Sequence, residues 1–259
     1  MNLIDSKSIQ IMIKNIKDKT RHWEYLVFSL GFAVMFTVMF YFFFGREDFQ
    51  FSFPGMIVYA VASSTTSSAI SFSVDKSSGM LERLDTMPTG RKNLFFGALL
   101  SETFMVSLQI LIMFVLGYGI LQIPYEGIFE LILGFFIAVL FGISSVGIGI
   151  IISGVAKNPE VANAIAIFYY MPMLFLSGSF FPFESPVVYF TPPFWAKQLY
   201  LQITVLGDGL DDVLYNGSLI GITAEATIFP LWSGLLIIVA FAFFFIIVGI
   251  IVFQKKTKF

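Results

Sequence analysis

The sequence predicts an all-α membrane protein of six transmembrane helices, and three observations carry that expectation. Of 259 residues, 57% are apolar and 12% charged, with a mean hydropathy of +0.86, whereas soluble domains carry about a quarter charged residues. Six apolar stretches, none with more than one charged residue, reach the ~20 residues that cross a bilayer. The lysines and arginines then gather on one side of the alternation that six spans impose. The 33 phenylalanines exceed what a soluble core of this size would cover. No cysteine is present, which removes disulfides, a thiolate nucleophile and Cys-based metal sites.

The chain reads as one domain, 1–259. Residues 1–22 are expected to be a cytoplasmic interfacial helix. Ile9, Met12, Ile13 and Ile16 repeat at helical spacing, with Lys14, Lys17 and Asp18 on the opposite face. A frayed polar leader is the alternative. No short apolar region precedes a small-residue cleavage site, so a signal peptide is not expected. His22 beside Trp23 reads as an interface anchor.

The spans are expected at 25–44, 54–74, 101–121, 128–153, 161–181 and 231–253. The second is crowded by Ser63, Ser64, Thr65, Thr66, Ser67, Ser68, Ser71 and Ser73. Hydroxyls can bond back to the carbonyl one turn earlier, so the segment still spans. The third carries Glu102 near one end and Gln109 two turns further in, and an ionisable group at membrane depth is a functional candidate by default. The fourth repeats Gly134, Ala138, Gly142 and Ser145, Gly149, Ser153 at spacing four, small residues that let helices approach closely. The fifth contains Pro172 and Ser177-Gly178-Ser179, which predict a kink or break near its end.

With six spans, thirteen of the fifteen basic residues share one side. They lie in the amino-terminal segment, at Lys76, Arg83, Arg91, Lys92 and Lys157, and in the tail. Arg46 and Lys197 alone take the other side. Both termini are therefore expected in the cytoplasm of a multi-pass cell-membrane protein.

Two connections are long. In 75–93, Gly79-Met80-Leu81-Glu82-Arg83-Leu84 is expected to form a short helix that stops before Pro88. Met80, Leu81 and Leu84 make an apolar edge, and Glu82, Arg83 and Asp85 a charged one. The element either docks on a soluble partner or lies on headgroups. The external segment 182–229 opens with proline and aromatic residues, Trp195 and Tyr200 among them. A short helix or re-entrant turn in the outer interface is expected, its Trp and Tyr at headgroup level. Its remainder reads as a polar, exposed loop.

Several chemistries lack their residues. No glycine-rich loop with Lys-Ser/Thr occurs, so ATP and its magnesium are not expected to bind this chain by that device. One histidine and no cysteine make no metal cluster, and neither a catalytic site nor nucleic-acid binding is expected. A buried carboxylate relay for ion coupling is missing.

Three features together resemble the membrane subunits of ABC-2 type exporters. They are the six-span layout with its interfacial helix, the Gly79–Leu84 segment with Pro88 and Gly97, and Phe175-Leu176-Ser177-Gly178-Ser179-Phe180-Phe181-Pro182. The pattern departs at Met80 and Ala98. The resemblance implies a homo- or heterodimer of two permeases with two copies of a separate ATPase, set in membrane lipid. Leu81, Glu82, Arg83, Leu84 and Asp85 would couple to the ATPase. Ser64, Ser67, Ser68, Phe168, Met171 and Phe175 would line a substrate cavity, with Phe180 and Phe181 as its outer gate. A Phe-rich, weakly charged interior suits amphipathic, lipid-like or drug-like cargo. The competing classes are a passive channel or ion-coupled carrier, and a membrane-embedded enzyme.

Overall fold

The computed structural model describes residues 6–21, 23–77, 90–180, 186–216 and 225–255. Among them, five helical stretches are long and apolar enough to cross a membrane: Asp48–Ser77, Phe95–Ile120, Ile128–Val155, Pro159–Leu176 and Leu231–Val252. The apolar stretch Leu30–Gly45 is shorter.

Helix α1, Ser6–Arg21, precedes α2, Trp23–Ala62. The latter is two limbs joined at Gly45, whose φ of 77° and ψ of 166° are open in practice only to glycine. The limbs run back along each other. Tyr41 meets Phe49 and Phe36 meets Tyr59, each pair with ring centroids 5.5 Å apart. One residue thus makes the hairpin, and the second span starts before Pro54, which lies inside the helix. At Ser63 the hydrogen-bond ladder is rerouted, with Ser63 Oγ donating to the Ala60 carbonyl at 2.7 Å, and α3, Ser64–Ser77, follows.

Helix α4, Gly90–Phe114, passes into a π-helical turn, Val115–Ile120. Helix α5, Ile128–Val155, is the central post and packs against α2, α3 and α4. A Cβ on its Gly149 would meet Ser68 Oγ at 1.9 Å, and one on Gly142 would meet Val106 at 2.6 Å. The small-residue stripes therefore serve close helix approach. Lys76 Nζ donates to the carbonyl of Ala156 at 3.2 Å, a cation at the negative end of α5.

Helix α6, Pro159–Leu176, starts at an Asn158 cap that accepts from Val161 N at 2.9 Å, with Pro159 in the first turn. It stops five residues short of the expected 181. Gly178 adopts φ 69°, Ser179 N donates to Leu174 O and Gly178 N to Phe175 O. This paired closure around a left-handed glycine is a Schellman end.

The next segment departs from expectation. Helix α7, Pro192–Leu201, is buried at all ten positions; Trp195 is 3% and Tyr200 1% exposed. It packs on α2, α5 and α8, Leu231–Lys255, and continues as a π-helical turn, Gln202–Leu206. Protein, not headgroups, covers its aromatic rings. The polar remainder contains a two-stranded antiparallel ribbon, β1 Val213–Asn216 with β2 Glu225–Pro230, so the all-α expectation is corrected by one hairpin. Val213-Leu214-Tyr215 and Ala226-Thr227-Ile228-Phe229 are rich in β-branched and aromatic residues, as strands favour.

Candidate functional site

The break at Ser63 and the upper half of α6 face each other across a shallow, open recess. Ala62 and Thr65 form one wall, Tyr169, Tyr170 and Met173 the other, Ser145 on α5 the floor, and Pro192-Pro193 at the start of α7 the lip. None of these side chains carries a charge. Within one protomer the recess is a shallow dent with no enclosed space for a drug-sized ligand.

The expected cavity residues divide around it. Ser64 and Ser68 are 2% and 0% exposed. Ser68 Oγ donates to Ser64 O at 2.8 Å while touching the Gly149 position, so both face protein. Ser67 and Met171 are half-buried. Phe168 and Phe175, on α6, are 82% and 52% exposed; Phe168 points away from the protomer, whereas Phe175 flanks the ring of Phe180. One protomer does not bring these six together around one space. Thr65, Ser145, Tyr169 and Tyr170 line the recess without having been expected. The Ser/Thr run flagged the right stretch, but only the helix rotation selects Thr65 from it.

At the far end of α6, Phe180 is half-buried in a cluster of rings. Its centroid stands 5.4 Å from Tyr59, 5.5 Å from Phe175, 6.0 Å from Phe40 and 6.3 Å from Phe36. Ser179 is seated by Gly55, since a Cβ there would stand 1.9 Å from the Ser179 carbonyl oxygen. Lys197 Nζ donates to the carbonyl of Gly178 at 2.5 Å, and burial pulls its ammonium down to about 8. Lys197 was visible in the sequence as an exception to the charge bias. The expected partner gate residue Phe181 and the coupling residues Leu81, Glu82, Arg83, Leu84 and Asp85 lie outside the described residues.

At the opposite end, α1 is keyed onto α4. Ser8 is fully buried, a Cβ on Gly97 would meet Ile11 at 2.7 Å, and Lys19 forms a salt bridge with Glu102. Lys14 and Lys17 face outward as expected, while Ile9 and Ile13 are 45% and 59% exposed. The side chain of Glu102 is 3% exposed and that of Lys19 22%. Removing one partner of a buried pair costs about 3–5 kcal/mol, chiefly through the charge left behind. The stranded carboxylate has less access to water than the stranded ammonium. Lys19→Met is therefore expected to lower the thermal unfolding midpoint more than Glu102→Gln, and the double variant to recover part of the loss. A cycle of midpoints in detergent measures this coupling; equal effects that simply add would remove the pair from the account.

The profile of the ABC-2 type transporter family matches residues 8–201. The chain is 23% identical over 210 residues to "ABC transporter G family member 20" of Dictyostelium discoideum, covering 81% of this chain and 27% of that one. It is 27% identical over 158 residues to "Probable multidrug ABC transporter permease YbhR" of Escherichia coli (strain K12), 57% of this chain and 41% of that one. It is 27% identical over 161 residues to "Daunorubicin resistance ABC transporter permease protein DrrB1" of Streptomyces coeruleorubidus, 61% and 56%. The chain thus spans between about a quarter and just over half the length of these relatives. The uncharged recess, the helix broken at Ser177-Gly178-Ser179 and the match across 8–201 agree: the chain belongs to the ABC-2 type transporter family.

Proposed function

We propose that this chain is the permease of an ATP-driven exporter that carries amphipathic, drug-like or lipid-like molecules out of the cytoplasm. The observation that carries the reading is the uncharged recess beside α6 together with the ring cluster that closes the end of that helix. An aromatic lining without fixed charge suits an apolar, weakly charged cargo, and a hydrophobic constriction excludes water by offering it no hydrogen bonds. The names of the multidrug and daunorubicin relatives support the drug-like class.

In this reading the energy is supplied by a separate ATPase; residues 1–259 themselves hold no phosphate-binding loop. Two permeases and two ATPases form the working unit, and ATP with magnesium is bound by the ATPases. A recess this shallow in one protomer is enlarged when a second copy faces it, and the exposed Phe168 and Phe175 then line the shared space with Ser67 and Met171. The membrane holds six spans with both termini in the cytoplasm, and Leu81–Asp85 dock on the ATPase with Glu82 and Arg83 as the charged contacts.

Inside-out vesicles containing this chain and its ATPase should accumulate daunorubicin only when ATP is added. Glu82→Ala with Arg83→Ala should leave the chain in the membrane yet lower ATP-dependent accumulation at least tenfold, because truncating a buried docking charge costs about 2–5 kcal/mol. Accumulation that needs no ATP would turn the reading to a channel or carrier. Full activity in the double variant would return this loop to the headgroups.

A further inference from the structure

The ammonium of Lys197 is unusual in its setting. It sits on α7, in the connection between α6 and α8, on a residue that is 5% exposed. Its hydrogen-bond partner is the carbonyl of Gly178. Among the described residues no carboxylate pairs with it, and burial is the sole influence acting on its charge. Interiors tolerate an unpaired charge poorly. A helix end does offer surplus carbonyls and the negative end of a dipole, but a neutral donor would satisfy one carbonyl with less desolvation.

The location gives the charge a use. Gly178 is the reversal residue of α6, and the next two residues make the closure: Ser179 against Gly55, Phe180 among Tyr59, Phe175, Phe40 and Phe36. The hydroxyls nearby are already committed. Ser177 Oγ donates to Leu174 O and pairs with Ser179 Oγ, and Thr191 Oγ1 donates to Val188 O. The Lys197 bond is thus the polar tie across from α7 to the reversed end of α6. We propose that Lys197 is a positioning residue for the outer closure: its ammonium binds the buried wedge α7 to the Gly178 carbonyl and so holds Phe180 in its ring cluster. Opening requires that bond to break. The inference rests on reading residues 177–180 as a closure, but neither on ATP nor on the identity of the cargo.

The cysteine-free sequence makes a direct test possible. Ser179→Cys places a single thiol at a site that is 2% exposed, and Asp211→Cys supplies an accessible reference on an exposed loop. Labelling by a charged maleimide is followed in lipid nanodiscs without nucleotide, where both membrane faces are open to the reagent and orientation does not enter. Ser179→Cys should label at least a hundredfold more slowly than Asp211→Cys. Adding Lys197→Met should speed labelling at Ser179→Cys at least tenfold, and adding Lys197→Arg, which keeps the cation, should restore protection. Lys197→Leu, which likewise has no donor, should behave as Lys197→Met does and takes its place if that variant fails to fold. Retained protection in the neutral variants, or equal labelling with Arg and Met, overturns the proposal. A failure of ATP-dependent accumulation would count against the export reading and leave this labelling result standing.

Discussion

Gly55→Ala should displace the end of α6 and lower both stability and, on the proposed export reading, coupled export, whereas Gly31→Ala on the same helix should do neither. The Cβ of an alanine at 55 would stand 1.9 Å from the carbonyl oxygen of Ser179, 2.9 Å from its carbon and 3.3 Å from its Cα. All three are backbone atoms, so no rotamer relieves the clash, and α2 must part from the end of α6. At Gly31 nothing lies within 4 Å of the same atom. Overpacking costs about 1–3 kcal/mol, and each kcal/mol moves the thermal midpoint by roughly 2–4 °C in a chain of this size. The effect on transport should exceed the effect on folding. Tyr59 lies one turn along the same face of α2, so separating Gly55 from Ser179 also draws Tyr59 away from Phe180, its ring neighbour. Thermal midpoints and, on the proposed export reading, cargo moved per ATP decide it; identical behaviour of the two alanine variants would show that the contact at Gly55 is not needed.

The contrast between these glycines explains what was legible beforehand. Hydropathy reports which stretches leave water, and among the described residues it located five of the six expected stretches as helices long enough to cross, because each helix must satisfy its own backbone in a bilayer. It says little about which face meets protein and which meets lipid, since both are apolar. Gly31 and Gly55 are indistinguishable in sequence, and only the neighbour across the gap separates them. The same degeneracy misplaced the external aromatics. Trp195 and Tyr200 suit headgroups and protein interior equally well, because each has an apolar body and a polar tip. In the structure the tips find protein partners: Trp195 Nε1 donates to Tyr189 O at 2.8 Å, and the Tyr200 hydroxyl lies 2.7 Å from that of Tyr118.

Local signals fared better where backbone chemistry forces the outcome. Ser177-Gly178-Ser179 predicted a break, and Gly178 supplies it through a positive φ. At Asn158-Pro159 the same chemistry starts α6 two residues before the expected 161, by capping and by a proline that has no N–H to lose. The Lys19–Glu102 bridge was only half visible. Glu102 stood out as a carboxylate at membrane depth, but its partner lies 83 residues away on another helix, a separation that no periodicity reports. Lys197 was visible as a charge on the sparse side, and its meaning depends on a carbonyl that only the fold brings to it.

The largest functional effect is expected at Phe180. Phe180→Ala removes four ring contacts at once, each worth about 0.5–1.5 kcal/mol in aromatic pairs. The loss of stability should nonetheless be modest. Phe180 is half-buried, and in a bilayer lipid tails replace much of the lost apolar contact, so packing alone is forfeited. Closure has no such substitute. A hydrophobic constriction excludes water by offering it no hydrogen bonds, and without the ring that constriction is lost. A wetted path lets cargo return, so ATP hydrolysis should continue while net export per ATP falls severalfold. Phe180→Leu, which restores bulk without the ring quadrupole, should recover most of the coupling if volume does the sealing. Export per ATP in vesicles and the thermal midpoint in detergent separate the outcomes. A variant with lowered stability and an unchanged ratio would make Phe180 a packing residue, and failure of leucine to recover the coupling would mean that the ring itself, not its bulk, closes the path.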